Sequence, residues 1–406
     1  MPRPFPTQPN LEHFRKQAKQ LLRDVRGGEA EATVRVRHAH PRWSAGTDVQ
    51  RGFSLHDAQL VVAREFGFSS WRRLVDAIER SLESNGPSHH VVITGGAGFI
   101  GSHLAERLLS QGHRVTAFHN LSTGSRANVD HLIHDSQFGL VEGDICDADA
   151  VDPLVAEADV LFHLAADFGC ARGSDPVASL HTNIHGAEVV LESASRHGVR
   201  FLFSSTSAVY GNLEPGAVLR EDDDRLLGNS RVYGWNYALG KIVCEQLIFG
   251  HARRHHLRAT AVRLFNIVGS RQTSPTVVPV FLDQAQRHEA ITLHGDGTQS
   301  RCFTDVRDAV EGLVRLADCA DAVGEAVNIG SRNKFTVRRL AQHVKSVTGS
   351  ESPIETVPVE YEIVPSRVPC LSKARQLIGY SAVHPVEDSI REIVALDEGG
   401  VAPAVD

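Results

Sequence analysis

The sequence has only six cysteines in 406 residues, none of them spaced as C-x-x-C and all of them beyond residue 140. Cys146, Cys170, Cys244, Cys302, Cys319 and Cys370 therefore read as neither a zinc cluster nor a disulfide framework, and they point to a reducing compartment. No stretch approaches the roughly 18 apolar residues of a membrane span. The leading "MPRPFPTQPN" has no apolar core of the kind that directs secretion, so a cytoplasmic protein without a membrane partner is expected. Internal repeats and low-complexity tracts are also missing. What is there suits a globular chain: 42% hydrophobic and 22% charged residues, enough for one large domain plus an added module.

The net charge of −7 is uneven, with +4 on residues 1–86 and −11 on the remainder. The basic front reads as a solvated helical surface, and no nucleic-acid partner is expected from it. Residues 10–26 form an amphipathic pattern, with Asn10 as N-cap, Leu11, Phe14, Ala18, Leu21, Leu22 and Val25 as the apolar stripe, and Gly27-Gly28 as the stop. "SLHDAQLVVAREFGFSSWRRLVDAIERSL" predicts two more helices, the first capped by Ser54, broken at Gly67 and restarted at Ser69 or Ser70. "SNGPSHH" (84–90) reads as a linker. Residues 1–86 are thus an all-helical module. It resembles a short segment found ahead of ankyrin repeats in bacterial proteins, and the resemblance implies packing or dimerisation with no chemistry of its own.

From His89 the rhythm changes to short β-branched runs alternating with helical stretches, the mark of an α/β fold with a parallel sheet. "HVVIT", "HRVTAF", "FGLVEGD", "ADVLFHLAA" and "RFLFSS" are the expected strands. The expected layout is a doubly wound dinucleotide-binding domain over 87–265 and a smaller α+β substrate region over 266–406, intertwined with it. Between the first strand and the first helix, "TGGAGFIG" spaces Gly95, Gly98 and Gly101 for a tight turn, for close approach of a pyrophosphate and for helix packing, with Phe99 and Ile100 opening the helix. His119 stands at the end of the second strand, where such units usually carry an acid for the adenosine ribose.

The order of "TGGAGFIGSH", "NLSTGS", "GDI", "HLAA", "SSTSAVYG", "YALGK", "RLFNIVG", "GDGTQSRCFTDVRDAV", "NIG" and "SRVP" resembles the extended short-chain dehydrogenase/reductase family, and within it the nucleotide-sugar epimerases and dehydratases. The resemblance runs over about residues 90–395. It implies a Rossmann-type fold, NAD, a nucleotide-diphosphate sugar as substrate, and a homodimer pairing two long helices, roughly 178–197 and 234–254. It implies that Asn120, Ser122 and Thr123 bond the cofactor, that Asp144 and Ile145 flank the adenine, that Leu164, Ala165 and Ala166 lie under the ribose, and that Asn183 supports that side. His119 replaces the family's usual Asp, which loosens the grip on NAD and admits NADP, with Arg126 as a phosphate partner; the absence of a basic pair at the strand end favours NAD.

Only Tyr237 of five tyrosines has a lysine four residues on, Lys241, in a chain with only six lysines. On a helix those positions share a face, so the ammonium can lie beside the phenol and favour its ionised form. The resemblance makes Tyr237 the base for a sugar hydroxyl and Lys241 a ligand of the nicotinamide ribose, with Thr206 as the third catalytic residue. Dehydratases of the family usually carry Asp-Glu after that threonine, and UDP-glucuronate decarboxylases usually carry Glu in the second place; this chain has Ser207 and Ala208. A UDP-sugar 4-epimerase is therefore expected, working through a 4-keto sugar, with a decarboxylase, dehydratase or ketoreductase of the same fold as the alternative. A cofactor-sensing interaction protein is the alternative of another class.

Asn266, Arg301 and Arg367 are the implied sugar and diphosphate contacts, although the Asp that often follows "R-x-P" is Cys370 here. Cys170 lies in a loop expected to face the sugar and reads more simply as an inert loop residue. Gly240 stands where the family often has Ser, and no chemistry is attached to it. "HARRHH" (251–256) lacks the spacing of a metal site, and no metal is expected.

Overall fold

The structure is a computed structural model and describes residues 11–43, 49, 52–68, 70–75, 88–169, 175–211, 216–229, 231–273, 276–358 and 367–399. The chain divides into two compact units, Met1–Ser88 and His89–Asp406. Among the described residues no helix is long and apolar enough to cross a membrane.

In the first unit the helices Leu11–Arg26, Ala30–Ala39 and Leu55–Glu65 close over Phe14, Leu21, Val25, Val36, Val61 and Val62. Asn10 lies outside the described residues. Ser54 forms a capping box with Asp57, whose other carboxylate oxygen meets His40 Nε2 at 3.1 Å. The Ala30–Ala39 helix escapes a pattern reading for a physical reason. Its "VRVRHA" alternates with a period of two, and only Ala32 and Val36 are buried while Val34 is exposed.

The second unit is built on a seven-stranded parallel sheet. Its strands are β1 (His90–Thr94), β2 (Arg114–His119), β3 (Phe138–Glu142), β4 (Val160–His163), β5 (Arg200–Thr206), β6 (Ala259–Leu264) and β7 (Ala326–Ile329). Their order is β7-β6-β5-β4-β1-β2-β3. The seventh strand thus comes from beyond residue 265. Strand residues alternate between two cores: Val91, Ile93, Phe162 and Leu202 face one, and Val92, Leu161, Phe201 and Phe203 the other. Burial on both faces explains the near-continuous apolar strands. The order in which successive strands are added reverses between β1 and β4, which run parallel, and the crevice beyond their carboxyl ends is where such sheets take ligands.

A buried ionic network fixes the helix Asn236–His255 against this sheet. Arg263 on β6 donates through Nε and Nη2 to the two oxygens of Glu245 on that helix, at 2.9 and 2.8 Å. Ser205 Oγ on β5 donates to Glu245 at 2.5 Å, and Arg225 Nη2 at 3.1 Å. Arg263 Nη1 also reaches the Tyr210 hydroxyl at 2.9 Å and the Glu221 carbonyl at 2.8 Å. Removing one partner of such a pair strands the other charge without water, which costs about 3–5 kcal/mol. Glu245→Gln is expected to lower the unfolding free energy from urea titration by that much, and the double change Glu245→Leu, Arg263→Met by less. Equal losses in the two variants would show that the pair carries no special weight.

Candidate active site

The turn after β1 is shaped for a ligand's backbone-close approach. Gly95 has φ +75°, and a Cβ there would lie 2.8 Å from Ala165 N. A Cβ on Gly101 would collide with the Gly95 carbonyl oxygen, so this glycine seats the helix Phe99–Ser110 on the turn itself. Gly96, to which the sequence reading gave no role, is just as constrained, because its Cβ would meet Ala117 Cβ at 2.5 Å. The helix begins after Gly98 with no acid in its first turn and no side-chain cap. Its first N–H groups and its dipole are left for an anion, and the donor set fits the pyrophosphate of a dinucleotide. Phe99 and Ile100 are partly buried against the sheet core, as is Leu164.

The flanks of this crevice are tightly bonded. Thr94 carbonyl accepts from Leu164 N at 3.0 Å, drawing the end of β4 against the glycine turn together with Ala165 and Ala166. Asn183 clamps the next residue, donating to the Asp167 carbonyl at 2.7 Å and accepting from its N–H at 2.8 Å. Asp144 accepts from Cys146 N at 2.9 Å and from Asn120 Nδ2 at 3.0 Å, and these bonds hold it below the usual carboxylate range against the opposing effect of burial. It therefore caps a turn as well as facing the site. The Ile145 side chain packs in the core against Gly186, which leaves only its main chain for an adenine. Ser122 Oγ turns inward to Asn120 Oδ1 at 2.7 Å, and Thr123 is exposed. Arg126, expected as a phosphate partner, forms an exposed ion pair with Glu142 at 3.0 Å.

Tyr237 and Lys241 both project from the first two turns of the Asn236–His255 helix. Lys241 is 2% exposed. Its Nζ donates to the Ser204 carbonyl on β5 at 2.7 Å and lies 4.4 Å from the centre of the Phe203 ring and 5.7 Å from that of Tyr237. Burial pulls its pKa down to about 8, only partly offset by Cys244 and Glu245. The neighbouring His163 is fully buried and pushed down to about 3, first by burial and then by Lys241, so it adds no second cation. Two residues along β5 from Ser204, Thr206 Oγ accepts the Ala208 N–H at 3.2 Å. That bond uses a lone pair and leaves the hydroxyl hydrogen for another acceptor. Phe168 stacks on the Tyr237 ring at 4.7 Å between centroids. The sequence reading did not single out Phe168; the only signal was its place two residues after "HLAA".

Further out, Asn266 adopts φ +41° and donates to the Cys302 carbonyl at 3.2 Å. Arg301 lies on the short strand Ser300–Cys302, which pairs antiparallel with Lys334–Thr336. Arg367 reaches the Gly211 carbonyl through Nη2 at 3.3 Å, while its buried Nε has no partner. Burial first, and then Arg301, bring the Arg367 pKa down to about 10. Among the described residues Arg367 thus keeps a buried donor unsatisfied while it feels the positive charge of Arg301, an arrangement that calls for an anion. Cys370 Sγ contacts Ser372 Oγ at 3.5 Å, and Gly240 packs towards Asn183. Cys170 lies outside the described residues. Among the described residues no group of three His, Cys, Asp or Glu side chains is arranged to hold a metal.

A glycine turn at the switch point of a parallel sheet, with a tyrosine and a buried lysine one helical turn apart, defines a dinucleotide-dependent enzyme of the short-chain type. The chain belongs to the NAD dependent epimerase/dehydratase family, whose model matches residues 91–330, and its cofactor is NAD. It is 36% identical over 313 residues to a UDP-N-acetyl-alpha-D-glucosaminuronate decarboxylase of Bacillus cytotoxicus, covering 75% of this chain and 96% of that one. It is 34% identical to UDP-glucuronic acid decarboxylase 1 of Danio rerio, over 75% of this chain and 71% of that one. Among solved structures it resembles the UDP-glucuronic acid 4-epimerase of Bacillus cereus in complex with UDP-glucuronic acid and NAD, with 25% identity and a TM-score of 0.70 over 76% of this chain and 99% of that one. It also resembles the UDP-glucose 4-epimerase of Thermotoga maritima, with 27% identity and a TM-score of 0.69 over 76% and 99%.

Lys241 titrates near pH 8 when folded and at its ordinary value of 10.5 when unfolded. Below pH 8 both states hold the proton and the folded state bears the full cost of burying it. As pH rises from 8 to 10.5 the unfolded chain binds more protons, so stability rises. Relative to Lys241→Met, the wild-type protein is expected to gain up to about 3 kcal/mol across that window. Parallel urea curves for the two proteins at pH 7, 9 and 10 would contradict the burial of a charged amine.

Proposed function

We propose that the chain interconverts UDP-sugars at C4, as an NAD-dependent 4-epimerase. The observation that carries this reading is the combination of Tyr237 above a buried ammonium with no carboxylate at Ser207 or Ala208 beside Thr206. NAD, when bound, supplies hydride acceptance from C4 and its return. The Tyr237 phenolate takes the C4 hydroxyl proton, becoming a neutral phenol, and gives it back at the end, and the Lys241 charge stabilises the phenolate before and after. Thr206 donates its remaining hydroxyl hydrogen to the reacting oxygen. Arg301 and Arg367 take the diphosphate, and Phe168 covers the tyrosine ring. In the same reading the long helices Pro176–His197 and Asn236–His255, with Val177 and Val243 exposed on them, pair two copies of the chain.

A second reading is favoured by the curated relatives, which are decarboxylases of UDP-uronates by name. A uronate oxidised at C4 is a β-keto acid. The bond from C5 to the carboxyl carbon breaks, its electrons pass into the C4 oxygen, and carbon dioxide leaves. Donors already at C4 suffice for that step, so both readings share the first half-reaction.

Proton NMR and carbon dioxide capture with UDP-glucose, UDP-glucuronate and UDP-N-acetylglucosaminuronate separate the two. The 4-epimer with no gas is expected; a UDP-pentose with one equivalent of gas establishes the second reading, and a requirement for added NADPH rejects both. Tyr237→Phe is expected to slow turnover by about 10²–10⁴-fold while leaving NAD binding intact.

A further inference from the structure

We propose that His119 weakens the cofactor site's discrimination against an adenosine 2′-phosphate, because it presents a hydrogen-bond donor where related sheets present a carboxylate. The argument starts from the ring's tautomer. Leu121 lies in the left-handed region, with φ +58°, and this turn points its N–H back at His119 Nδ1, which accepts it at 2.6 Å. A nitrogen that accepts a backbone N–H cannot carry a hydrogen, so the neutral ring has its hydrogen on Nε2. The ring is buried at the end of β2, and burial lowers its affinity for a second proton. A proton on Nδ1 would also confront the Leu121 N–H directly.

Nε2 is the edge turned towards the cofactor crevice. It lies 3.7 Å from where a Cβ on Gly98 would be, and only a glycine at 124 lets the following loop close over it, since a Cβ there would be 2.5 Å from Nε2. Among the described residues Nε2 has no hydrogen-bond partner. An acid at this strand end accepts from both ribose hydroxyls and repels a 2′-phosphate. His119 accepts nothing more. Its donor is matched equally by a 2′-hydroxyl oxygen and by a phosphate oxygen. The two nearby acids are already engaged, Asp144 by Cys146 N and Asn120, and Glu142 by Arg126. This inference rests on the cofactor and not on the identity of the sugar.

Isothermal titration calorimetry of the full chain, stripped of any copurified dinucleotide, with NAD, NADP and 2′-deoxy-NAD tests it. The wild-type ratio of Kd for NADP to Kd for NAD is expected below about thirtyfold, and His119→Asp is expected to raise it at least about tenfold further. His119→Asn, which keeps an amide donor, should leave the ratio within about threefold of wild type. Retained NAD binding and an unchanged thermal melt show that the variants are folded; should His119→Asp not fold, His119→Asn against His119→Leu reads the same donor through 2′-deoxy-NAD. A wild-type ratio above thirtyfold, or a ratio that His119→Asp leaves where it was, overturns the proposal.

Discussion

An ammonium group held away from water beneath a phenol ring organises the second unit. Lys241 is sealed between β5 and its own helix, with one carbonyl, that of Ser204, as its direct hydrogen-bond acceptor. Such a charge is costly to bury, and its lowered pKa measures the cost. The buried ammonium favours an ionised Tyr237 oxygen beside it, and burial keeps the neighbouring His163 neutral, so one cation acts there.

The same logic recurs around it. Glu245 stands one helical turn beyond Lys241 and is tied to Ser205, the residue before Thr206. Arg263 and Arg225 complete its bonds, so the helix that carries the tyrosine and the strand that carries the threonine move as one body. Arg367 keeps a buried donor unsatisfied among the described residues and feels the charge of Arg301. Balanced charge thus fixes the scaffold, whereas unbalanced charge marks the places where ligands belong.

Much of the fold was legible beforehand. Strands buried on both faces read as apolar runs, and helices with one wet face read as stripes, so β1, β2 and the Leu11–Arg26 helix lie within a residue or two of the pattern. The Ala30–Ala39 helix was hidden because its few buried residues do not repeat every turn. Gly95, Gly98 and Gly101 stood out by spacing, while Gly96 and Gly124 matter through contacts with Ala117 and His119 that no spacing encodes. Ile145 and Arg126 had readings that their packing and pairing narrowed: one is core, the other is bound to Glu142. The Glu245–Arg263 pair joins residues whose meeting depends on a helix crossing a strand, and nothing local announces it.

By itself the sequence determined the order of elements, the glycine turn and the tyrosine–lysine pair, because these follow from short-range periodicity and from residue types that few other roles require. The tertiary structure alone decided how deeply Lys241 is buried, which nitrogen of His119 carries its hydrogen and that Arg367 keeps one buried donor unsatisfied among the described residues. Those properties depend on what surrounds a group in space, and neighbours in space are set by the packing of distant segments.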